Sequence, residues 1–141
     1  MPRIKDGFKG ERAIVLPAFL IEELKQDPLG SELYITDIGY YPHAYFHYRK
    51  RDTEEVTEFI LIYCMEGEGW FELDKHQYAV TANQFFILPE HQAHAYGSNE
   101  ENPWTIYWIH FNGTKAAFFQ CRFLTVRKAS LHKRIHESKK D

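Results

Sequence analysis

The chain reads as a mainly β protein, an antiparallel β-sandwich or barrel, and two observations predict it. Between Phe59 and Asn112, apolar runs of strand length alternate with short polar or glycine-bearing breaks. The runs are Phe59–Met65, Trp70–Leu73, Tyr78–Thr81, Gln84–Leu88 and Trp104–Phe111; the breaks are Glu66–Gly69, Asp74–His76, Ala82–Asn83 and Pro89–Pro103. Short strands at close spacing, with turn residues between them, are the pattern of sandwiches and small barrels. The second observation is that no part of the stretch has the length or period of the crossover helix that a parallel sheet requires.

The flanking elements follow from local chemistry. Residues 1–12 are polar, contain Gly7 and Gly10, and read as an arm or loop. Ala13–Leu16 reads as a short strand. Pro17 opens a short helix that Pro28 stops, with Phe19, Leu20 and Leu24 on one face, since proline is tolerated in a first turn and cannot continue a helix. Leu33–Tyr41 is rich in β-formers and reads as a strand ended by Pro42. His43–Glu58 mixes Arg49, Lys50 and Arg51 with Asp52, Glu54, Glu55 and Glu58, and reads as a solvated hairpin or strand edge. Glu66–Gly69 reads as a hairpin turn, because its glycines permit positive φ. Asp74–His76 is a second tight connection, and Asn83 is a turn residue that tolerates left-handed geometry. Gln84–Leu88 is apolar enough for burial on both faces. Beyond Gly113, Thr114–Gln120 reads as short helical or irregular and Phe123–Val126 as a last short strand. Leu131 to about Lys140 reads as a helix capped by Ser130, with Leu131 and Ile135 one turn apart.

Composition narrows the function classes. The 141 residues are 44% hydrophobic and 16% aromatic, enough to bury a core in one domain rather than stay disordered. A net charge of −3 and a pI near 6.2 give no general attraction to nucleic acid or anionic membrane. No run approaches the roughly 18 to 20 apolar residues of a membrane span, and the first residues lack a signal-peptide layout. The expectation is a cytoplasmic protein. Cys64, inside the most apolar run, is expected as a buried thiol, and a bridge to Cys121 would be kept reduced in that compartment.

The chemistry concentrates in Trp104–Phe111. Alternation puts Trp104, Ile106, Trp108 and His110 on one face and Thr105, Tyr107, Ile109 and Phe111 on the other. Two indoles and an imidazole on one face form a surface that can stack on a flat ligand and donate N–H groups to it. An arginine turned inward from His43–Glu58 would suit a polar ligand, because its planar fork matches carboxylates and vicinal oxygens; either Arg49 or Arg51 could serve. Pro89–Asn99 holds His91, His94 and Tyr96. No glycine-rich phosphate loop, nucleophile elbow or CxxC is present.

The order and spacing of several pieces resemble the N-terminal effector-binding and dimerisation domain of AraC-type transcription regulators, members of the cupin superfamily of small β-barrels (double-stranded β-helix or jelly roll). The pieces are Phe59–Tyr63 with Gly67 and Gly69, Tyr78 and Val80, Phe86–Pro89, His94-Ala95-Tyr96-Gly97, Pro103-Trp104, Tyr107–Phe111 and Gly113. They span about two thirds of the chain, and the PW..YWIHF.G block is the most specific.

The resemblance implies a cupin-like barrel that binds a small-molecule effector, often a sugar, a following helix that makes a homodimer, and DNA binding through a further C-terminal domain. Paired helix-turn-helix units would need on the order of 100 residues, so that domain is expected to be absent from this chain. Residues 1–126 would be the effector-binding domain and 127–141 the start of the helical dimerisation or linker segment. The implied ligand residues are Trp108 and Tyr96, with Ile106 and Trp104 on the same strand face and Arg49 or Arg51 as the polar anchor. Ile106 stands where some sugar-binding members carry histidine, so the sugar is not named by this pattern. Many cupins hold a metal through two histidines and a glutamate on early strands plus a later histidine. Phe59–Leu73 contains no histidine, and only Pro89-x-His91-x-x-His94 survives of the second motif. Too few ligands remain for a site that needs about three or four, so no metal or other cofactor is expected. The alternative is a stand-alone cupin enzyme such as a sugar isomerase or oxygenase, which the missing histidines disfavour.

Overall fold

The computed structural model describes residues 2–122 and 127–128. Among the described residues, ten strands form two antiparallel sheets around one interior. They are β1 (Arg12–Val15), β2 (Tyr34–Tyr41), β3 (Tyr48–Arg51), β4 (Phe59–Glu66), β5 (Glu68–Leu73), β6 (His76–Thr81), β7 (Gln84–Leu88), β8 (His94–Ser98), β9 (Thr105–Asn112) and β10 (Arg127–Lys128), with helices α1 (Ala18–Gln26) and α2 (Ala117–Arg122). The larger sheet runs β1-β2-β9-β4-β7-β10 and the smaller β3-β8-β5-β6. Strands β2 to β9 therefore distribute between the sheets as a jelly roll does, two four-stranded halves facing each other. The expected fold class holds on strand order alone.

The central strands of the larger sheet are covered on both faces. Phe86, Leu88, Ile60, Ile62, Ile106 and Trp108 pack inward among the residues between the sheets. Phe59, Ile87 and Phe111 pack outward, against Ala116 and Phe119. This two-sided burial explains why Gln84–Leu88 is a nearly unbroken apolar run, and the two faces of β9 divide as alternation predicts.

Some local expectations need correction. Glu66–Gly69 is not a hairpin turn: β4 and β5 lie in different sheets, and the segment carries the chain from one to the other. Gly67, at φ +76°, fits there because a side chain would overlap the backbone of Pro103 and Trp104. The hairpin is the next connection, where Asp74 and Lys75 both adopt positive φ between the paired strands β5 and β6. His94–Ser98, inside the expected loop, is strand β8, buried at every position. Tyr48–Arg51, within the stretch expected as a hairpin or strand edge, is β3, the edge strand of the smaller sheet. In α1, Phe19 is exposed, while Ile21 joins Leu20 and Leu24 on the half-buried side. Arg127–Lys128, ahead of the helix expected from Leu131, pairs with β7. The expected strand Phe123–Val126 and the helix from Leu131 lie outside the described residues.

The N-terminal arm is tied to the barrel. Ile4 donates to the Phe46 carbonyl at 2.8 Å and accepts from the Tyr48 N–H at 2.9 Å. Phe8 is buried against Tyr41 and His47. The Glu11 carboxylate accepts from the Gly7 and Phe8 N–H groups at 2.6 and 2.7 Å, which holds the turn that seats Phe8.

Candidate functional site

Register sets the inner walls. Across β2, β9 and β4, Asp37 lies level with His110 and Ile60, Gly39 with Trp108 and Ile62, and Tyr41 with Ile106 and Cys64. Partners directly opposite in an antiparallel pair share a face, so these are three inward rows of one wall. On the other wall, Arg51 is level with His94 and Leu73, and Arg49 with Tyr96 and Phe71. His47 precedes them, two residues before Arg49 on the same face. A cavity of about 260 Å³ lies between the walls, with Lys5 and Asp6 of the arm at its rim.

The rows can be matched across the cavity. The rings of Tyr41 and His47 meet edge to face at 5.3 Å. The Arg51 charge acts on Glu58, beside His110. Arg49, Tyr96, Trp108 and Ile62 line the same cavity.

The sequence-predicted residues are not all together. Trp108, Tyr96, Ile106, Arg49 and Arg51 line the cavity, so both candidate arginines face inward. Trp104 does not line it. It is fully buried beside Phe86, and its indole Nε1 donates to His47 Nδ1 at 3.1 Å. The two indoles of this face thus differ: Trp104 is a satisfied core residue, whereas Trp108 Nε1 is buried with no hydrogen-bond partner. His110, which alternation placed on the Trp108 face, lines the cavity too; sequence reasoning missed Asp37, Tyr41 and His47, which also line it.

Two histidines are held neutral. Burial, and then the positive charges of Arg51 and Arg49, push His47 down to about 3. Burial and the Arg51 guanidinium likewise push His94 down to about 3. Arg51 Nη1 donates to Tyr96 Oη at 3.0 Å and sits 3.1 Å from His94 Nε2. That donor makes Nε2 an acceptor in the neutral ring. Tyr41 is raised to about 12, mainly by burial and then by the negative charges of Glu11 and Asp6.

The far end of the cavity is acidic. His110 Nδ1 is 3.4 Å from Asp37 Oδ1 and 3.7 Å from Glu58 Oε1. The Thr36 hydroxyl donates to Asp37 Oδ1 at 2.6 Å. Burial alone would raise the Glu58 pKa, but His110 beside it, with the Thr36 hydroxyl and the Arg51 charge nearby, outweighs it and holds the carboxyl below its ordinary range. The ligating atoms of Asp37, Glu58 and His110 lie within 4.8 Å of one another. They come from three separated segments, which is why no spacing in the sequence announces them. The interior histidines do not fit the metal set of the cupin pattern: His47 Nδ1 is taken by Trp104, and His94 Nε2 lies against a guanidinium.

Comparison with known proteins gives a consistent picture. The AraC-like ligand binding domain model matches residues 38–136. The chain is 36% identical over 109 residues to the MmsAB operon regulatory protein of Pseudomonas aeruginosa, covering 74% of this chain and 35% of that one. It is 31% identical over 84 residues to the lactose operon transcription activator of Staphylococcus xylosus, covering 60% and 26%. The chain thus spans about a third or less of the length of these curated relatives. Among solved structures, the cupin domain of Schizosaccharomyces pombe Cnp3 aligns with a TM-score of 0.49 at 11% identity, covering 78% of this chain and 70% of that one.

Proposed function

Because the chain belongs to the AraC-like ligand-binding domain family, we propose that the cavity between its sheets takes up a small-molecule effector. In this reading the chain is the non-catalytic sensing and dimerisation part of a larger, cytoplasmic, DNA-binding transcription regulator. The observation that carries it is the cavity itself: about 260 Å³, walled by Trp108, Tyr96 and Ile106 and furnished with two arginines. That volume lies just below the roughly 300–1,000 Å³ of drug-sized sites, so the effector is of monosaccharide size or smaller. Flat rings on both walls suit a sugar or another flat-faced polar molecule.

The larger role draws on the relatives, which are named as operon regulators and a transcription activator. Pairing of two copies is supported by an apolar surface on β1, β2 and β9, where Ile14, Ile38 and Tyr107 are exposed around a shallow groove. Among the described residues, no helix is long and apolar enough to cross a membrane.

A thermal-shift screen against monosaccharides and small organic acids tests the effector reading. A saturable rise in Tm that disappears in Trp108→Ala supports it. A screen in which every effect persists unchanged in that variant, still folded, refutes it.

A further inference from the structure

We infer that the effector is anchored by a carboxylate, received by the Arg49 guanidinium; this rests on the cavity being the effector site. Of the charged side chains on the two inner walls, Arg49, Arg51 and Asp37, one lacks a counterpart among the described residues. Arg51 is committed to Tyr96 Oη and His94 Nε2, and its charge acts on Glu58. Asp37 is held by Thr36 and His110. Arg49, by contrast, makes no hydrogen bond or ion pair with any described residue, although it lines the cavity and its Nε is out of reach of solvent.

A guanidinium is always charged and offers five donors in a rigid plane. Buried donors are almost always satisfied. When the protein supplies no acceptor, the partner that best fits the fork is a planar oxyanion, and a carboxylate accepts two parallel N–H groups from it.

The surroundings favour the same chemistry. His47, beside Arg49 on β3, is neutral near pH 7 and adds no second cation. Trp108, Ile62 and Ile106 line the same cavity as Arg49, which offers apolar surface to the atoms behind the carboxylate.

The test uses isosteric pairs that differ in charge: acetate, propionate and benzoate, each against its carboxamide, at constant ionic strength. The readout is the Arg49 Nε–H signal in nitrogen-15 correlated spectra, together with the indole N–H of Trp108. At least one carboxylate should move both signals saturably, its carboxamide should bind at least tenfold more weakly, and Arg49→Gln should abolish the difference. Arg49→Lys, which keeps the charge and loses the fork, should recover part of it. Carboxamides binding as well as carboxylates would overturn the inference, as would none of the carboxylates moving the Arg49 signal. If D-glucose, D-galactose or D-xylose instead shifts the Trp108 signal, the cavity remains the effector site and the carboxylate assignment alone falls.

Discussion

Gly39 on β2 lies directly across from Trp108 on β9, and the indole occupies the space where a side chain of residue 39 would stand. A methyl group there would overlap Cζ2, Cε2 and Nε1 of the ring. The glycine therefore sets the tilt of Trp108, laying the indole against β2 as one wall of the cavity. Gly39→Ala should destabilise the fold by about 1–3 kcal/mol through overpacking and shift the Trp108 fluorescence. Denaturant titration checks the first effect. An unperturbed Gly39→Ala protein would mean the ring has room to move.

His47 and Trp104 form the second informative pair. The Trp104 N–H is fully buried and has His47 Nδ1 as its acceptor. His47→Phe keeps a ring among Phe8, Tyr41 and Tyr96 but removes that acceptor, and leaving a buried donor unpaired costs about 1–3 kcal/mol. Trp104→Phe in the same background should recover part of the loss, because the orphaned donor is then gone. Full additivity of the two losses in a double-mutant cycle would contradict the contact.

Acid should weaken the fold well before its carboxylates titrate. His47 and His94 have folded-state pKa values of about 3, against an ordinary 6.5. Below pH 6.5 the unfolded chain binds protons that the folded chain refuses, so stability falls as pH drops from 6.5 toward 3. Between pH 6.5 and 5 each histidine accounts for about 2 kcal/mol. Glu58 acts in the same direction but later: its lowered pKa stabilises the fold above about 4.5 and that contribution is lost as pH falls through the folded value. Unfolding free energies at pH 7.5, 6 and 5 should decline, and His94→Gln should reduce the slope. A flat profile would contradict the burial of these rings as neutral groups.

The legible parts of this chain were those whose neighbours are local. The two faces of β9 follow from an unbroken period of two, and the β5–β6 hairpin follows from Asp74–His76. β8 was hidden because His94–Ser98 contains Gly97 and Ser98 and both of its faces are covered, so nothing alternates. β3 was legible only as a hairpin or strand edge, because its four residues are Tyr48, Arg49, Lys50 and Arg51 and charge does not say which side chains turn inward. Arg49 and Arg51 face inward only because β3 pairs with β8, a contact between positions more than forty residues apart. The same long-range pairing decided between the tryptophans: alternation put Trp104 and Trp108 on one face, but only the packed barrel gives Trp104 an acceptor and leaves Trp108 at the cavity. Asp37 and Tyr41 joined the site through register between β2 and β9, which no spacing encodes.

The central claim is that the Trp108 wall of this cavity receives the effector. The most direct measurement is a calorimetric titration of a regulator carrying this domain with its inducer, comparing wild type with Trp108→Ala. Truncating a packed indole costs about 3–5 kcal/mol of stability, so circular dichroism at a temperature where both proteins are folded belongs with the titration. The account predicts a folded variant whose affinity for the inducer falls at least tenfold. A folded Trp108→Ala protein that binds the inducer with wild-type affinity would contradict it.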